Sequence, residues 1–208
     1  MPNIINIYSK SKDLCSRLIS NLAYTQFVLD GEHIASIEGF HQGIKFEAIE
    51  QRRRVFGMWG NEARQQRIKV NKPGMTYFYW GAEKHPSRSP QYYALYHRAL
   101  LAKFTQHQGA RDALLATEDA LFEHRAPRIR MSFDQFQKSH TCQSLYTIRK
   151  ELAAQSGSTG AGSNSGTADH HLTQALTELE QDRANLCSQL ELLDTAIRIL
   201  RPLCKTNA

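Results

Sequence analysis

The sequence contains no long apolar run. None of its hydrophobic stretches approaches the roughly 18 consecutive apolar residues that a membrane-spanning helix requires, so we expect no membrane partner. The first residues, Met-Pro-Asn-Ile-Ile-Asn, lack the basic segment followed by an apolar one that is typical of a secretory signal. Both absences favour a cytoplasmic protein.

Cysteine is scarce and scattered. The chain has four cysteines among 208 residues, and no two of them stand at a Cys-x-x-Cys spacing. Neither these cysteines nor the nine histidines show the paired spacing of zinc ligands. We therefore expect reduced thiols, no metal and no cofactor. The cysteines are Cys15, Cys142, Cys187 and Cys204.

Charge is unevenly distributed along the chain. The formal net charge is +6, but residues 155–208 hold four basic and six acidic side chains, which leaves a net +8 for residues 1–154. Two groups of basic residues either cover solvated helix faces or attract a phosphate-bearing ligand or nucleic acid. The first group is Arg52, Arg53, Arg54, Arg64, Arg67, Lys69 and Lys72, and the second is Arg125, Arg128 and Arg130.

Hydrophobic periodicity predicts a mainly α-helical domain with a little β structure. The longest helix is expected at residues 91–107, where aromatic and apolar side chains recur at helical spacing. Residues 84–90 contain two prolines and are expected to form a loop. Another helix is expected at residues 37–45, followed by a further helix that ends at about residue 56. Shorter or later helices are expected at residues 62–67, 111–117 and 133–153. Strands are expected at residues 4–8, 25–29 and 76–81.

The composition changes abruptly at residues 155–168. This segment is rich in Ser and Gly and has almost no large apolar side chain, so it is expected to be a flexible linker after the first domain, residues 1–154. Beyond the linker, residues 169–203 carry leucines every seven residues, which is typical of a leucine zipper. The leucines are Leu172, Leu179, Leu186, Leu193 and Leu200, and Leu176, Arg183, Leu190 and Ile197 form the second row.

The zipper pattern predicts a coiled-coil helix that forms a homodimer or joins another coiled-coil partner. The alternative is a helix that folds back onto the first domain. A basic-region zipper that grips DNA needs a Lys/Arg-rich helix immediately before its leucines. The Ser/Gly linker occupies that place here, so we exclude a DNA-binding zipper of this kind.

An acid, an amide and an amine share one face of the helix predicted at residues 37–45. Glu38, Gln42 and Lys45 stand at positions i, i+4 and i+7, which a helix places in one stripe. Phe40 and Ile44 lie away from that stripe, as does Phe46, and can anchor the helix in a core. The stripe is therefore either a reactive site or a set of solvated surface charges.

Glu38, Gln42 and Lys45 belong to one of three sequence blocks that match the motifs of a single protein family and follow the same order along the chain. The first block, residues 38–46, fits Glu-x-x-x-Gln-x-x-Lys-Phe. The second is Ala99-Leu100-Leu101-Ala102-Lys103-Phe104 with Leu114-Leu115-Ala116-Thr117 and Leu121-Phe122-Glu123-His124, and the third is Ser20-Asn21-Leu22-Ala23 with Phe27 and Asp30-Gly31. Together, residues 3–153 resemble the NADAR (NAD and ADP-ribose) family of YbiA-like N-glycosidases. The resemblance implies a mainly α domain with minor β structure.

The resemblance also implies hydrolysis of an N-glycosidic bond between ribose and a base or amine. Family members act on ADP-ribose attached to guanine or on phosphoribosylated amino-pyrimidine intermediates of riboflavin synthesis. The expected partner is therefore a phosphorylated ribosyl small molecule or an ADP-ribosylated nucleic acid. Lys45 is the expected Schiff-base nucleophile, which requires a pKa below the usual value of about 10.4. Glu38 is expected to shuttle protons, and Gln42 and Asn21 to bind the substrate.

One family motif is missing. Many members carry Trp-Gly-Asp-Gly after the Leu-x-Glu block, whereas residues 125–139 contain neither Trp nor Gly. Asp134 either replaces the missing acid or is a helix N-terminal residue favoured by the helix dipole. Trp80 either stacks on a substrate base or belongs to the core. The gap also leaves open an alternative function, a non-catalytic ADP-ribose- or NAD-type nucleotide-binding module assembled through the coiled coil.

Overall fold

The computed structural model describes residues 3–70, 77–126 and 131–158. Helices and a few short strands make up this part of the chain, which confirms the predicted mainly α fold with minor β structure. The helices are α1 (Leu14–Ile19), α2 (Ile37–Gly43), α3 (Ile49–Phe56), α4 (Gly60–Val70), α5 (Pro90–Gln106), α6 (Gln108–Leu115), α7 (Phe133–Gln137) and α8 (His140–Ser158). The strands are β1 (Ile4–Asn6), β2 (Phe27–Leu29), β3 (Glu32–Ile34), β4 (Tyr77–Trp80), β5 (Glu83–Pro86) and β6 (Leu121–Glu123).

The chain divides into two compact units, residues 1–160 and 161–208. All described residues belong to the first unit. Helix α8 continues to Ser158, so it includes the first residues of the range 155–168 that was predicted as a linker. The rest of that range and the predicted coiled coil at residues 169–203 lie outside the described residues.

The described strands pair in three two-stranded sheets. β1 and β6 are parallel, with Ile4 opposite Leu121, and β2 and β3 form an antiparallel hairpin. The hairpin turn uses Asp30 and Gly31 at φ values of 50° and 81°, the left-handed conformation that Asp-Gly turns favour. The strand predicted at residues 25–29 corresponds to β2, whereas β3 was not predicted because two of its three residues, Glu32 and His33, are polar.

The predicted loop at residues 84–90 is partly wrong. Most of β5 lies in that range, and it pairs antiparallel with β4 so that Tyr77 faces Pro86 and Trp80 faces Glu83. A proline is compatible with a strand at a sheet edge, where its missing N–H removes no ladder hydrogen bond. Both strands of a two-stranded sheet are edge strands, which explains why Pro86 is tolerated.

Helix α5 is the central element of the core. It packs against α2, α6, α8 and β2, and its buried face includes Tyr96, Leu100, Lys103 and Phe104. This face follows the helical spacing seen in the sequence. The apolar side chains that surround it include Ile19, Phe40, Leu114, Phe122 and Leu145.

Helix α2 lies directly against α3 because two of its residues are glycines. A Cβ on Gly39 would lie 2.5 Å from the Met58 carbonyl oxygen, and a Cβ on Gly43 would lie 2.3 Å from the Phe56 ring. Ser36 caps the helix: its hydroxyl accepts the Gly39 N–H at 2.9 Å and donates to the Met58 carbonyl at 3.2 Å. These contacts with Phe56 and Met58 therefore fix the position of α2.

Helix α2 ends at Gly43, earlier than the predicted end at residue 45. Ile44 keeps helical φ and ψ, and its carbonyl accepts the Tyr79 N–H of β4 at 2.7 Å. The Lys45 N–H still reaches the Gln42 carbonyl at 3.3 Å. Lys45 consequently remains on the face of α2 although the helix has formally ended.

The helix predicted at residues 133–153 is two helices. Ser132 and Gln135 form a capping box that starts α7. Helix α7 ends at Gln137 and is capped by Lys138. The Ser139 hydroxyl accepts the Cys142 N–H at 3.2 Å at the start of α8. None of the helices in the described ranges combines the length and apolar character needed to cross a bilayer.

Candidate active site

Four of the predicted site residues line one cavity. The cavity has a volume of about 460 Å³ and receives Asn21 from the segment after α1, and Glu38, Gln42 and Lys45 from α2 and its C-terminal turn. Glu38 and Lys45 are half-buried and Gln42 is buried. The stripe therefore faces a cavity and is not a set of freely solvated charges.

The three side chains of the stripe form a hydrogen-bonded row. Gln42 Nε2 donates to Glu38 Oε1 at 2.8 Å, and Lys45 Nζ donates to Gln42 Oε1 at 2.7 Å. The amide of Gln42 thus presents its NH₂ group to the carboxylate and its oxygen to the amine. This arrangement holds an acid and an amine at fixed positions on one wall of the cavity.

Asn21 is tied to both α5 and α2. Its Nδ2 donates to the Tyr96 hydroxyl at 2.9 Å, and its carbonyl accepts the Glu38 N–H at 2.8 Å. The second bond satisfies one of the N–H groups that the first turn of a helix leaves unpaired. Asn21 therefore lines the cavity and also anchors the end of α2 that carries Glu38.

His41 is a further site residue, one that was not predicted from the sequence. It lines the same cavity, and its Nδ1 lies 3.0 Å from the Tyr92 hydroxyl of α5 in a hydrogen bond. Burial, and to a smaller extent the charge of Lys45, lowers the pKa of His41 to about 4. Burial also raises the pKa of Tyr92. At neutral pH the pair is therefore uncharged. Its sequence signal was the helix face shared by positions 38, 41, 42 and 45.

A second cavity of about 360 Å³ meets the first at His41 and Lys45. Its wall is largely aromatic, with Tyr77 and Tyr93 among the lining residues, together with Arg88. Arg88 has a φ of 59°, a conformation that a non-glycine residue rarely adopts. Lys45 thus stands where the main cavity and an aromatic-lined cavity join.

The basic residues separate into structural and cavity-lining ones. Arg52 is buried and donates to the carbonyls of Phe46, Glu47 and Gly81, while Arg53 pairs with Glu32 at 2.9 Å. Exposed Arg64 lines the main cavity, as does His124. Arg125 pairs with Glu123. The side chains of Arg67, Lys69, Lys72, Arg128 and Arg130 lie outside the described residues.

Trp80 and Asp134 do not join the other predicted site residues. Trp80 lines neither of these cavities; its Nε1 donates to Asp30 Oδ2 at 2.9 Å, and its ring packs against Phe40 and Phe56. Asp134 is exposed in the first turn of α7 and also lies outside both cavities. We therefore place Trp80 with the core aromatics and Asp134 at a helix N-terminus, the alternatives that the sequence left open.

The site offers side-chain chemistry from an acid, an amide, an amine and a neutral imidazole. A carboxyl group can transfer protons, and a lysine amine can form a covalent intermediate with a carbonyl-level carbon. Among the residues that the structure describes, no three His, Cys, Asp or Glu side chains converge in the manner of metal ligands.

Both the sequence and the fold of this chain are similar to those of known proteins. Residues 14–150 match the model of a family described as Bacteriophage protein GP30.3. The uncharacterized 17.1 kDa protein in the Gp30–rIII intergenic region of Enterobacteria phage T4 is 35% identical over 107 residues, which cover 51% of this chain and 70% of that protein. The NMR structure of E. coli YbiA has a TM-score of 0.57 and 20% identity, covering 80% of this chain and 92% of that one. The matches confirm the resemblance to the NADAR, YbiA-like family, and at this identity the likeness to YbiA itself concerns the fold.

Proposed function

The chain belongs to the family described as Bacteriophage protein GP30.3, and from this premise we propose that it is an N-glycosidase. In this proposal it hydrolyses the bond between ribose C1 and a nitrogen atom in an ADP-ribosyl or phosphoribosyl substrate. Lys45 is the nucleophile and Glu38 is the acid–base group. ADP-ribose on guanine and an intermediate of riboflavin synthesis are examples of such substrates.

The hydrogen-bonded row of Glu38, Gln42 and Lys45 carries this proposal. The row lines a cavity of about 460 Å³, so a ligand that enters it meets the acid and the amine at the same time. Here the amide of Gln42 lies between the two charged groups, so the carboxylate and the amine face different atoms of a bound substrate.

The residues supply each step of the hydrolysis. The Lys45 amine attacks ribose C1, the bond from C1 to the base nitrogen breaks, and Glu38 delivers a proton to that nitrogen. The carboxylate of Glu38 then takes one of the two amine protons, which restores its acid form. The second amine proton moves to the ring oxygen, which opens the ring and leaves an imine between C1 and Nζ. Water then adds to the imine and the sugar leaves, which restores Lys45. The net reaction consumes one water and releases the base and the sugar.

Charge supports a phosphorylated substrate. Residues 1–154 carry a net +8, and Arg64 stands exposed on the cavity lining. A guanidinium group recognises phosphate oxygens with paired hydrogen bonds. In the proposal Arg64 receives the phosphate of the substrate, and Gln42 and Asn21 contact the ribose.

A second candidate function is the non-catalytic nucleotide-binding module. The missing Trp-Gly-Asp-Gly motif favours it, because residues 125–139 contain neither Trp nor Gly and Asp134 lies outside both cavities. Such a module binds ADP-ribose but releases no base. Binding measured without turnover would distinguish it from the enzyme.

Mass spectrometry of reaction mixtures distinguishes the N-glycosidase from the non-catalytic binding module. The protein is incubated with an ADP-ribosylated DNA oligonucleotide, NAD and phosphoribosylamino-pyrimidines, and calorimetry measures the binding of ADP-ribose. If the protein is an N-glycosidase, it should release a free base from at least one substrate, and the Lys45→Arg variant should release none. Binding of ADP-ribose without cleavage of any substrate would overturn the enzyme and favour the binding module.

A further inference from the structure

Lys103 is a lysine with no exposure to solvent that lies outside both cavities. Lys103 is 0% exposed, and it lines neither cavity. Its Nζ donates to the carbonyls of Ile19 at 3.1 Å and Ser20 at 2.9 Å. None of the ion pairs within the described ranges involves Lys103. Burying an amine without a carboxylate partner costs free energy of folding, and the two carbonyl hydrogen bonds offset part of that cost.

The two carbonyls that Lys103 binds belong to the end of α1. That helix ends at Ile19, and the last carbonyls of a helix have no partner within it. A cationic or N–H donor group at this end is favourable because it meets the negative end of the helix dipole. Ser20 and the residues that follow it, Asn21 and Leu22, line the main cavity. Lys103 therefore fixes the backbone immediately before Asn21.

A second residue of α5 holds the same segment. Tyr96 lies seven positions before Lys103, which places both on one face of the helix, and its hydroxyl accepts the Asn21 Nδ2 hydrogen bond at 2.9 Å. The Asn21 carbonyl in turn accepts the Glu38 N–H at 2.8 Å. A continuous series of contacts thus runs from α5 through residues 19–21 to the acid of the site.

We propose that Lys103 is a positioning residue of the site: by holding the Ile19 and Ser20 carbonyls it sets the place of Asn21 and, through the Asn21 carbonyl, that of Glu38. Its effect on the reaction rate rests on the proposed function. Its effect on Asn21 and Glu38 does not, because that effect is a matter of geometry alone.

The test compares Lys103→Met, which keeps an unbranched side chain but removes the donors, with Lys103→Gln, which has the same length as Met and restores a neutral N–H donor. Lys138→Met, which removes an exposed lysine after α7, is the control. The measurements are the NMR resonances of the Glu38 backbone amide and the Asn21 side-chain amide, followed by kcat and KM on the substrate identified above.

We expect Lys103→Met to shift both resonances and to lower kcat about tenfold or more, the scale of a small misplacement of a catalytic group, with a smaller change in KM. Lys103→Gln should recover part of the shift and of the rate, and Lys138→Met should change neither. A folded Lys103→Met chain with both resonances unmoved would overturn the proposal, whether or not the chain proves to be an enzyme.

Loss of folding in Lys103→Met does not remove the test. Tyr96→Phe deletes only the hydroxyl that accepts from Asn21, and Lys103→Gln keeps a polar group at the buried position. In that case the proposal predicts displaced Glu38 and Asn21 resonances in both milder variants. Unmoved resonances in both would contradict it.

Discussion

Glu38 is held at two points, through its backbone N–H by Asn21 and through its carboxylate by Gln42. Because these contacts survive the change to an amide, Glu38→Gln should keep ligand binding while slowing turnover by about 100-fold or more, the usual effect of a positioned acid–base group. Steady-state kinetics and calorimetry measure the two effects. Glu50→Gln, which alters an exposed acid in the first turn of α3, is the matched control. Equal rates in the two variants would show that the carboxylate has no catalytic role.

His41 gives the fold a defined response to acid. Its pKa is about 4 in the folded chain, mainly because of burial, and about 6.5 in an unfolded chain. Between these values the unfolded chain binds more protons, so stability falls as the pH is lowered from 6.5 towards 4. His41→Phe keeps a ring of similar shape and should flatten this part of the curve. The measurement is urea denaturation across that pH range.

The control for this prediction is His33→Phe, which removes an exposed histidine of β3. It should leave the pH dependence of the free energy of unfolding as it is in the original chain. If His41→Phe and His33→Phe gave the same curve as the original protein, the imidazole of His41 would not be held neutral by its surroundings.

At the level of elements, the close contact between α2 and α3 depends on Gly39. An added methyl group would lie 2.5 Å from the Met58 carbonyl oxygen, which is too short for any real contact and cannot be relieved by a side-chain rotation. Gly39→Ala should therefore lower the free energy of unfolding by about 1–3 kcal/mol. Gly57→Ala is the control, because its Cβ would have ordinary contacts of 3.6 Å and beyond. Equal stability of the two variants would mean that α2 can move away from α3 at no cost.

Long elements and residues on a shared helix face were predictable from the sequence. Helix α5 shows several turns of one apolar period, and the row of Glu38, Gln42 and Lys45 follows directly from helical spacing. The strand β3 was not predicted because two of its three residues are polar, and β5 was not predicted because Pro86 suggested a loop. Contacts between distant segments also escaped: nothing in the local pattern links His41 to Tyr92 or places Trp80 away from the cavity.

At the scale of the whole molecule, the heptad repeat of residues 169–203 predicts self-association or a coiled-coil partner. These residues lie outside the described ranges, so the expectation rests on the sequence: a lone helix of this kind would expose a continuous apolar stripe. The full chain should sediment as a dimer or a larger assembly. A chain cut after Gly160, at the end of the first compact unit, should sediment as a folded monomer.

Three results would change this account of the tail. A monomeric full chain would mean that the tail requires a different partner or folds back on its own domain. A cut chain that remains dimeric would place the interface in the first unit. A cut chain that unfolds, judged by circular dichroism, would show that residues after 160 belong to the core.

In the proposed reaction, Lys45 forms a covalent imine with the ribosyl carbon of its substrate. The most direct measurement is borohydride trapping: the protein is mixed with a cleavable substrate and borohydride, and intact mass and peptide mass spectra are recorded. We predict a stable added mass of the ADP-ribosyl or phosphoribosyl group, located on Lys45, and none in Lys45→Arg, because a guanidinium stays charged and forms no Schiff base. Turnover by Lys45→Arg, or an adduct on another lysine, would contradict the account.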